Sequence, residues 1–566
     1  MAKHVAKHMQ RESGKKQGQN YLHGAAILTA GVIIMKILGF FYKIPLGNIL
    51  GDEGYSMFLS AYNIYFVFFT LATAGLPVAL SRLVAEADAN VRARQEQKLF
   101  RVALTTFTVL GLVFAAILFF FPRWLAAVYL ENPDAAPSVR AMAPAILLVC
   151  MVSAYRGYCQ GNGNMIPTTV DEVLEVLFKV VTGLVLAVLV LKACGGLPRS
   201  QALSRGSAGA IVGVSIGSAV SLLYMVFYKR KNYDMLAAPY TAGIHDPNDV
   251  PEDDDLVDPA SKIVKDLFSI GVPIALGACI LALLNSVDSK LCMNRLQSAA
   301  GFSYLEAKVL YGVYGKAQTL FNLPAAFITP LTISIVPAIS AALARGEKKS
   351  AGKVTEDSMR ISAVISVPMG VGLAVLAGPI MSTLYPGSHE AGPGLLAAMG
   401  VASFFVCILL MENAILQASG KEKLTMLTLI CGGVIKILIN WFLVARREIN
   451  IYGAPVGTLV SYFAMALMNY IFMWRCLDYR PRLLRCFGGA VGSSALMGLT
   501  AWAVYGLCYR ALSGRLGHAT LLSMAVSILA AVLVYLAAAI FSRSVTREDM
   551  RLIPGGEKIA RLLHMR

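Results

Sequence analysis

The sequence predicts an all-α polytopic membrane protein of about fourteen spanning helices, arranged as two pseudo-symmetric six-helix lobes followed by two further helices. Three observations predict it. The 566 residues are 57% hydrophobic and only 15% charged, with a mean hydropathy of +0.64, far from the balance of a soluble chain. Apolar runs of about 20 residues, the length that crosses a hydrocarbon core, recur from end to end. Short patterns of the first half also return, in the same order, in the second.

The chain opens on a basic segment, 1–23, with Lys3, Lys7, Arg11, Lys15 and Lys16. The apolar run behind it is too long for a signal-peptide core and lacks a small-residue cleavage site, so it is expected to remain as the first helix. Helices are then expected near 24–50, 55–81, 99–122, 138–159, 168–192 and 207–228, which form a first lobe over 24–229. Residues 230–262 are polar, proline-containing and acidic from Glu252 to Asp255, the composition of a flexible linker. A second lobe, 263–477, holds helices near 263–291, 305–344, 358–385, 392–418, 424–445 and 451–474. Helices near 486–508 and 518–541 fill 478–542, and a basic tail, 543–566, ends the chain. With both ends cytoplasmic, the inner loops carry more than twice as many Lys and Arg as the outer ones, as the positive-inside rule requires.

The net charge of +17 follows from that loop asymmetry and does not point to nucleic acid. The ten cysteines lie mostly in or beside apolar runs, without CxxC pairs or metal-ligand spacing, and read as small buried hydrophobes. No P-loop, HExxH or nucleotide-cradling glycine motif in a βαβ context is present, so neither an enzyme, a metal nor a cofactor is expected.

The repeat is read by setting "YCQGNGNMIPTTVDEVLEVLFKVV" (158–181) above "ILQASGKEKLTMLTLICGGVIKIL" (415–438). Gln160 meets Gln417, Gly163 meets Gly420, Thr168 meets Thr425 and Lys179 meets Lys436, at a constant offset of 257. "GAIVG" (209–213) then matches "GAPVG" (453–457), and "GLPVALSRLVAE" resembles "IVPAISAALARG". Two parallel repeats of this kind place a transporter's substrate site near the midplane, where the repeats meet.

Lysines inside the spans say what that substrate is. Lys36, Lys179, Lys316 and Lys436 each lie roughly 16 to 18 Å along their helices, at mid-membrane depth. A charge there costs about 3 kcal/mol or more in lipid, and a lysine stem cannot snorkel that far, so these ammonium groups are expected to face a polar cavity. Lys43, near the outer end of its helix, is explained equally by snorkelling or by a site. Acidic residues within the spans are few. They are Glu175, Asp288 and Glu412, with Asp171 and Glu172 nearer a helix entrance. Glu175 stands one turn before Lys179 and could pair with it, whereas the matching position before Lys436 is Gly432. The excess of cations implies an anionic guest. Asp52 and Glu53, in "GDEG", read as parts of a tight turn.

"GAAILTAGVIIMKILGFFYKIPLGNILGDEGYSMF", "TAGLPVALSRLVAE", "RGYCQGNGNMIPTTVDEVLE" and "NLPAAFITPLTISIVPAIS" resemble the stage V sporulation protein B and polysaccharide-export branch of the multidrug/oligosaccharidyl-lipid/polysaccharide flippase superfamily. The lipid II flippases are more distantly similar. The resemblance implies two lobes in a V shape, a multi-pass protein of the bacterial plasma membrane, and export of a polyprenyl-diphosphate-linked saccharide by alternating access. It also implies a link to cell-wall or polysaccharide synthesis machinery and to membrane lipids, and no enzymatic step. Lys36, before "ILGF", takes the place of a first-helix arginine of the lipid II flippases; Tyr42, with Lys43 beside it, takes that of a second. Thr319, before "NLP", takes the place of an eighth-helix arginine, with Lys316 one turn earlier. Lys36, Lys43, Lys179, Lys316 and Lys436 are therefore the expected substrate ligands, with Glu175, Asn322 and Asp288 in support. Pro77, Pro324, Pro330 and Pro337 are expected hinges, or plain helix kinks. A multidrug cation antiporter of the same superfamily is the alternative, and would require carboxylates deep in the cavity.

Overall fold

The computed structural model describes residues 2–89, 92–231, 257–477, 483–513 and 519–542, the first thirty by their backbone alone. Most of the expected 230–262 linker, the 543–566 tail and the side chains of 1–23 lie outside the described residues. Helix accounts for nearly everything described. The helices in order are α1 (Ala2–Thr73), α2 (Leu76–Ala89), α3 (Ala93–Phe120), α4 (Ala143–Gly161), α5 (Ile166–Ala193), α6 (Arg199–Lys231) and α7 (Ala260–Ser298). They continue with α8 (Tyr304–Ala344), α9 (Lys348–Val375), α10 (Gly392–Ala418), α11 (Glu422–Leu443), α12 (Gly453–Cys476), α13 (Leu483–Leu512) and α14 (Ala519–Phe541). Short helical pieces at Ala136–Ala141 and Ala377–Leu384 lead into α4 and follow α9.

Thirteen runs among the described residues are long and apolar enough to span, against the fourteen expected. The difference lies in the first, Gly31–Asp88. At about 1.5 Å per residue its 58 residues would extend nearly 90 Å, while the hydrocarbon core is about 30 Å thick. Gly51, with φ 65° and ψ −174°, breaks α1 inside this run, in a conformation that favours glycine. The two expected helices are thus contiguous across a single residue.

The loop chemistry explains the other boundaries. Pro144, Pro167 and Pro393 open their helices, where a missing N–H leaves no partner unsatisfied. Ser303 and Glu306 form a reciprocal capping box at the start of α8. Gly163 after α4 and Gly420 after α10 both adopt positive φ, 70° and 69°, and close their helices in the left-handed region. Pro324, Pro330 and Pro337 all sit inside the uninterrupted α8.

The chain forms two compact units. The first comprises Met1–Leu50 and Met57–Ser289, the second Gly51–Ser56 and Lys290–Arg566. The boundary falls within α7 and not in the linker before it, because the first part of α7 packs on the first unit. Ile263 and Leu267 join a buried cluster with Leu80, Val84 and Phe100. Gly75 and Gly271 let α7 approach so closely that a Cβ on Gly75 would strike the Gly271 carbonyl. In the second unit, α13 and α14 pack on α9 through Leu376, Met497, Ala531 and Tyr535, whose hydroxyl donates to the Val364 carbonyl at 2.6 Å. Leu223, Phe227, Trp502 and Leu529 are exposed, as suits faces whose solvent is lipid.

Candidate functional site

Helix α1 runs beside α5 in the first unit. A side chain at Gly31 would collide with Thr169, and eleven residues on, the Tyr42 hydroxyl lies where a Cβ on Gly183 would meet it at 2.9 Å. Both numbers rise together, so the helices are parallel here. That register sets Lys179 on α5 at a height between Lys36 and Lys43 on α1. Tyr42, 2% exposed, fixes the contact by donating to the Ala210 carbonyl of α6 at 3.1 Å.

The three lysines lie along the same stretch of the α1–α5 contact and together form one positive field. Lys36 is exposed, while Lys43 and Lys179 are half-buried. Lys43 Nζ lies 5.7 Å from the Tyr62 ring centroid, a cation–π contact that leaves its charge uncancelled. Among the described residues, none of the three has a carboxylate at ion-pair distance. Three unneutralised ammonium groups at this depth attract an anion and repel a cation.

Glu175 does not neutralise Lys179. Its Oε2 accepts from Arg156 Nη2 at 2.8 Å and its Oε1 from Ser218 Oγ at 2.9 Å. Arg156, 8% exposed on α4, also donates through Nε to Asp171 Oδ2 at 2.6 Å and has Glu172 Oε1 at 3.8 Å from Nη1. Ser221 Oγ completes the network on Asp171 Oδ1. Arg156, near the end of its apolar run, was not among the expected site residues; its signal was the three acids at positions 171, 172 and 175.

Lys316 is placed differently from its expected role. It is 2% exposed and ion-paired with Asp52 Oδ1 at 2.5 Å, with Nζ 5.1 Å from the Tyr385 ring centroid. Lys308, two turns earlier on α8, holds Glu53 Oε1 at 2.9 Å. Gly312 sits between the two lysines, where a side chain would collide with the Asp52 carbonyl. Asp52 also accepts from Ser388 Oγ at 2.7 Å and from the His389 amide at 2.8 Å. The "GDEG" break is therefore clamped onto α8 within the second unit, and the charge of Lys316 is already met there. A counter-ion 264 positions away on another helix has no local signature, which is why the pairing was not legible.

The remaining expected residues are spread through their units. Lys436 is half-buried on α11 and takes part in further interactions. Asp288, 5% exposed on α7, is likewise engaged. Asn322 is exposed and donates to its own helix at the Gln318 carbonyl, 2.8 Å. Thr319 is buried, 2.9 Å from the Tyr55 hydroxyl. Pro77, Pro324 and Pro330 are buried and Pro337 is exposed. Among the described residues no group of three or more His, Cys, Asp or Glu is arranged to hold a metal ion.

Residues 21–343 match the family described as "Polysaccharide biosynthesis protein", more than half of the chain. The chain belongs to the polysaccharide biosynthesis protein family. Residues 301–442 also match the MatE family. The lipid II flippase MurJ of Bacillus subtilis (strain 168) is 26% identical over 475 residues, 82% of this chain and 84% of that protein. Stage V sporulation protein B of the same organism is 25% identical over 455 residues, 80% and 83% of the two chains. In fold, the chain is similar to a solved structure of lipid II flippase MurJ in an inward closed conformation, with a TM-score of 0.64 at 14% identity, covering 92% of this chain and 99% of that one. As a polysaccharide biosynthesis family protein it is a multi-pass membrane transporter of the multidrug/oligosaccharidyl-lipid/polysaccharide flippase superfamily, similar to flippases.

Proposed function

We propose that this transporter is a flippase that moves a polyprenyl-diphosphate-linked saccharide, lipid II-like or a polysaccharide precursor, across the bacterial plasma membrane for cell-wall or polysaccharide synthesis. The observation that carries the reading is the field of Lys36, Lys43 and Lys179 without a carboxylate partner among the described residues. A diphosphate diester brings two negative charges to that field, and lysine meets phosphate as a point charge. The sugars follow in polar surroundings and the prenyl tail stays in lipid. Alternating access, with Pro77, Pro324, Pro330 and Pro337 as flexure points and Lys436 as a further ligand in the second unit, completes the scheme. The family match and the similarity to lipid II flippase MurJ support it. Both ends lie in the cytoplasm on this reading, in keeping with the charge of the loops.

The test is flipping by the purified protein in proteoliposomes, comparing lipid II, a teichoic or capsular lipid precursor and a cationic dye. Lys36→Met keeps the length and apolar stem and removes only the charge. It should reduce transport of the lipid-linked saccharide roughly 10- to 100-fold, the worth of one charge-assisted contact. Lys36→Arg should retain most of it. One observation favours the antiporter reading: Glu412, 1% exposed on α10, has an Oε2 without a hydrogen-bond partner among the described residues. Dye transport that is lost in Glu412→Gln and indifferent to Lys36→Met would replace the flippase reading with that one.

A further inference from the structure

We infer that Arg156 is a positioning residue for the cation field: with Ser218 it binds both oxygens of Glu175, so that this carboxylate cannot neutralise Lys179. The inference rests on the flippase reading above. A glutamate one turn N-terminal to a lysine is the order that favours an ion pair along a helix. In surroundings of low dielectric constant that attraction is stronger than in water. Left alone, Glu175 would claim Lys179 and remove one of three charges from the field.

The geometry prevents it at each oxygen. Arg156 Nη2 takes Oε2 and Ser218 Oγ takes Oε1, at 2.8 and 2.9 Å. Gly217 makes the second contact possible, because a Cβ there would strike the Glu175 carbonyl at 2.5 Å and Lys179 Cβ at 3.2 Å and hold α6 away from α5. Arg156 is suited to its part by its fork. One guanidinium serves Asp171 through Nε and Glu175 through Nη2, which a single ammonium cannot do at both places. The second repeat supplies the contrast. Where Lys436 stands for Lys179, Glu175 is replaced by Gly432 and Arg156 by Asn413. The arginine occurs where there is an acid to withhold, and is absent where there is none.

The experiment measures binding of geranyl diphosphate to the purified full-length protein in detergent, alongside flipping. Arg156→Lys, which can keep Asp171 but not also reach Glu175, should weaken geranyl diphosphate binding about fivefold, the scale of one modest ion pair. Adding Glu175→Gln should restore it, a rescue that a purely structural role for Arg156 would not give. Ser218→Ala should act in the same direction, about twofold, and also be rescued by Glu175→Gln; it serves if Arg156→Lys fails to fold. On a Lys179→Met background neither change should have any further effect. Unchanged binding in both Arg156→Lys and Ser218→Ala, or weakening that Glu175→Gln leaves in place, overturns the inference even if Lys179→Met is defective and the flippase reading stands. Normal binding by Lys179→Met overturns both, whereas binding that follows the inference without flipping of any lipid-linked saccharide overturns the flippase reading alone.

Discussion

The hairpin of α5 and α6 and the hairpin of α11 and α12 share a backbone and differ in charge. On α6, Gly209, Gly213 and Gly217 form a stripe that meets Leu186, Gly183 and Glu175 of α5. On α12, Gly453, Gly457 and Ser461 meet Leu443, Asn440 and Gly432 of α11. Every partner is related by the same offsets, 257 for α5 to α11 and 244 for α6 to α12. The side chains within that frame diverge. Arg156, Asp171, Glu175 and Ser221 of the first hairpin's network correspond to Asn413, Thr428, Gly432 and Met465, and Met465 fills the space over Gly432. Small residues fix how closely two helices approach, and that constraint is the same in both places. What fills the rest of the contact is free to be an ion network in one and packing in the other.

The largest expected difference is in the ionic part. Asp171→Asn takes a carboxylate from a buried guanidinium and should destabilise the protein by about 3 kcal/mol or more, read by thermal unfolding in detergent. Thr428→Val, at the matching position, removes a hydroxyl that, among the described residues, bonds only to the Thr425 carbonyl of its own helix, and should change stability by less than about 1 kcal/mol. Equal losses would mean that the two hairpins are held by the same forces after all.

The glycine stripes should respond next, and more nearly alike. A side chain at Gly213 runs into the backbone of Gly183, which cannot give way; at Gly457 it meets the side-chain oxygen of Asn440, which can turn. Gly213→Leu should therefore cost about 2 to 3 kcal/mol and Gly457→Leu about 1 to 2, measured in the same unfolding assay. A harmless Gly213→Leu would remove the stripe from the account of how α5 and α6 pack.

These residues also mark how far the sequence could be read. The spans, the repeat and the glycines at its turns were legible, because apolar length and left-handed turns leave local patterns: Gly163 and Gly420 were paired by position and both adopt positive φ. The cations Lys36, Lys43 and Lys179 were legible as charges out of place in oil. Their counter-ions were not. Lys316 finds Asp52 across 264 positions, and Glu175 turns from its neighbour Lys179 to Arg156, 19 residues away on another helix. Periodicity says which face of a helix is polar; which of two available partners a carboxylate takes depends on how close neighbouring helices come, and that is set by glycines such as Gly217 and Gly312 on those neighbours.

The smallest effect concerns the residue that stands where Arg156 would be. Asn413 Oδ1 accepts from Asn469 Nδ2 at 2.8 Å, and Asn469 is wholly buried, with its own Oδ1 unpartnered among the described residues. A neutral hydrogen bond inside a membrane protein contributes about 0.6 kcal/mol on average. Asn413→Leu should lower stability by about 1 kcal/mol, more than the bond's own worth, since it also leaves a buried donor unmet. Replacing both asparagines by leucine should recover that loss, because two apolar groups leave nothing unsatisfied. No such second change can rescue Arg156→Leu, where Asp171, Glu172 and Glu175 would all be left without their cation. A repairable Asn413 beside an irreparable Arg156 is what distinguishes a packing contact from an ion network built on the same frame; an Asn413→Leu variant that the second leucine cannot repair would put the two hairpins back on equal terms.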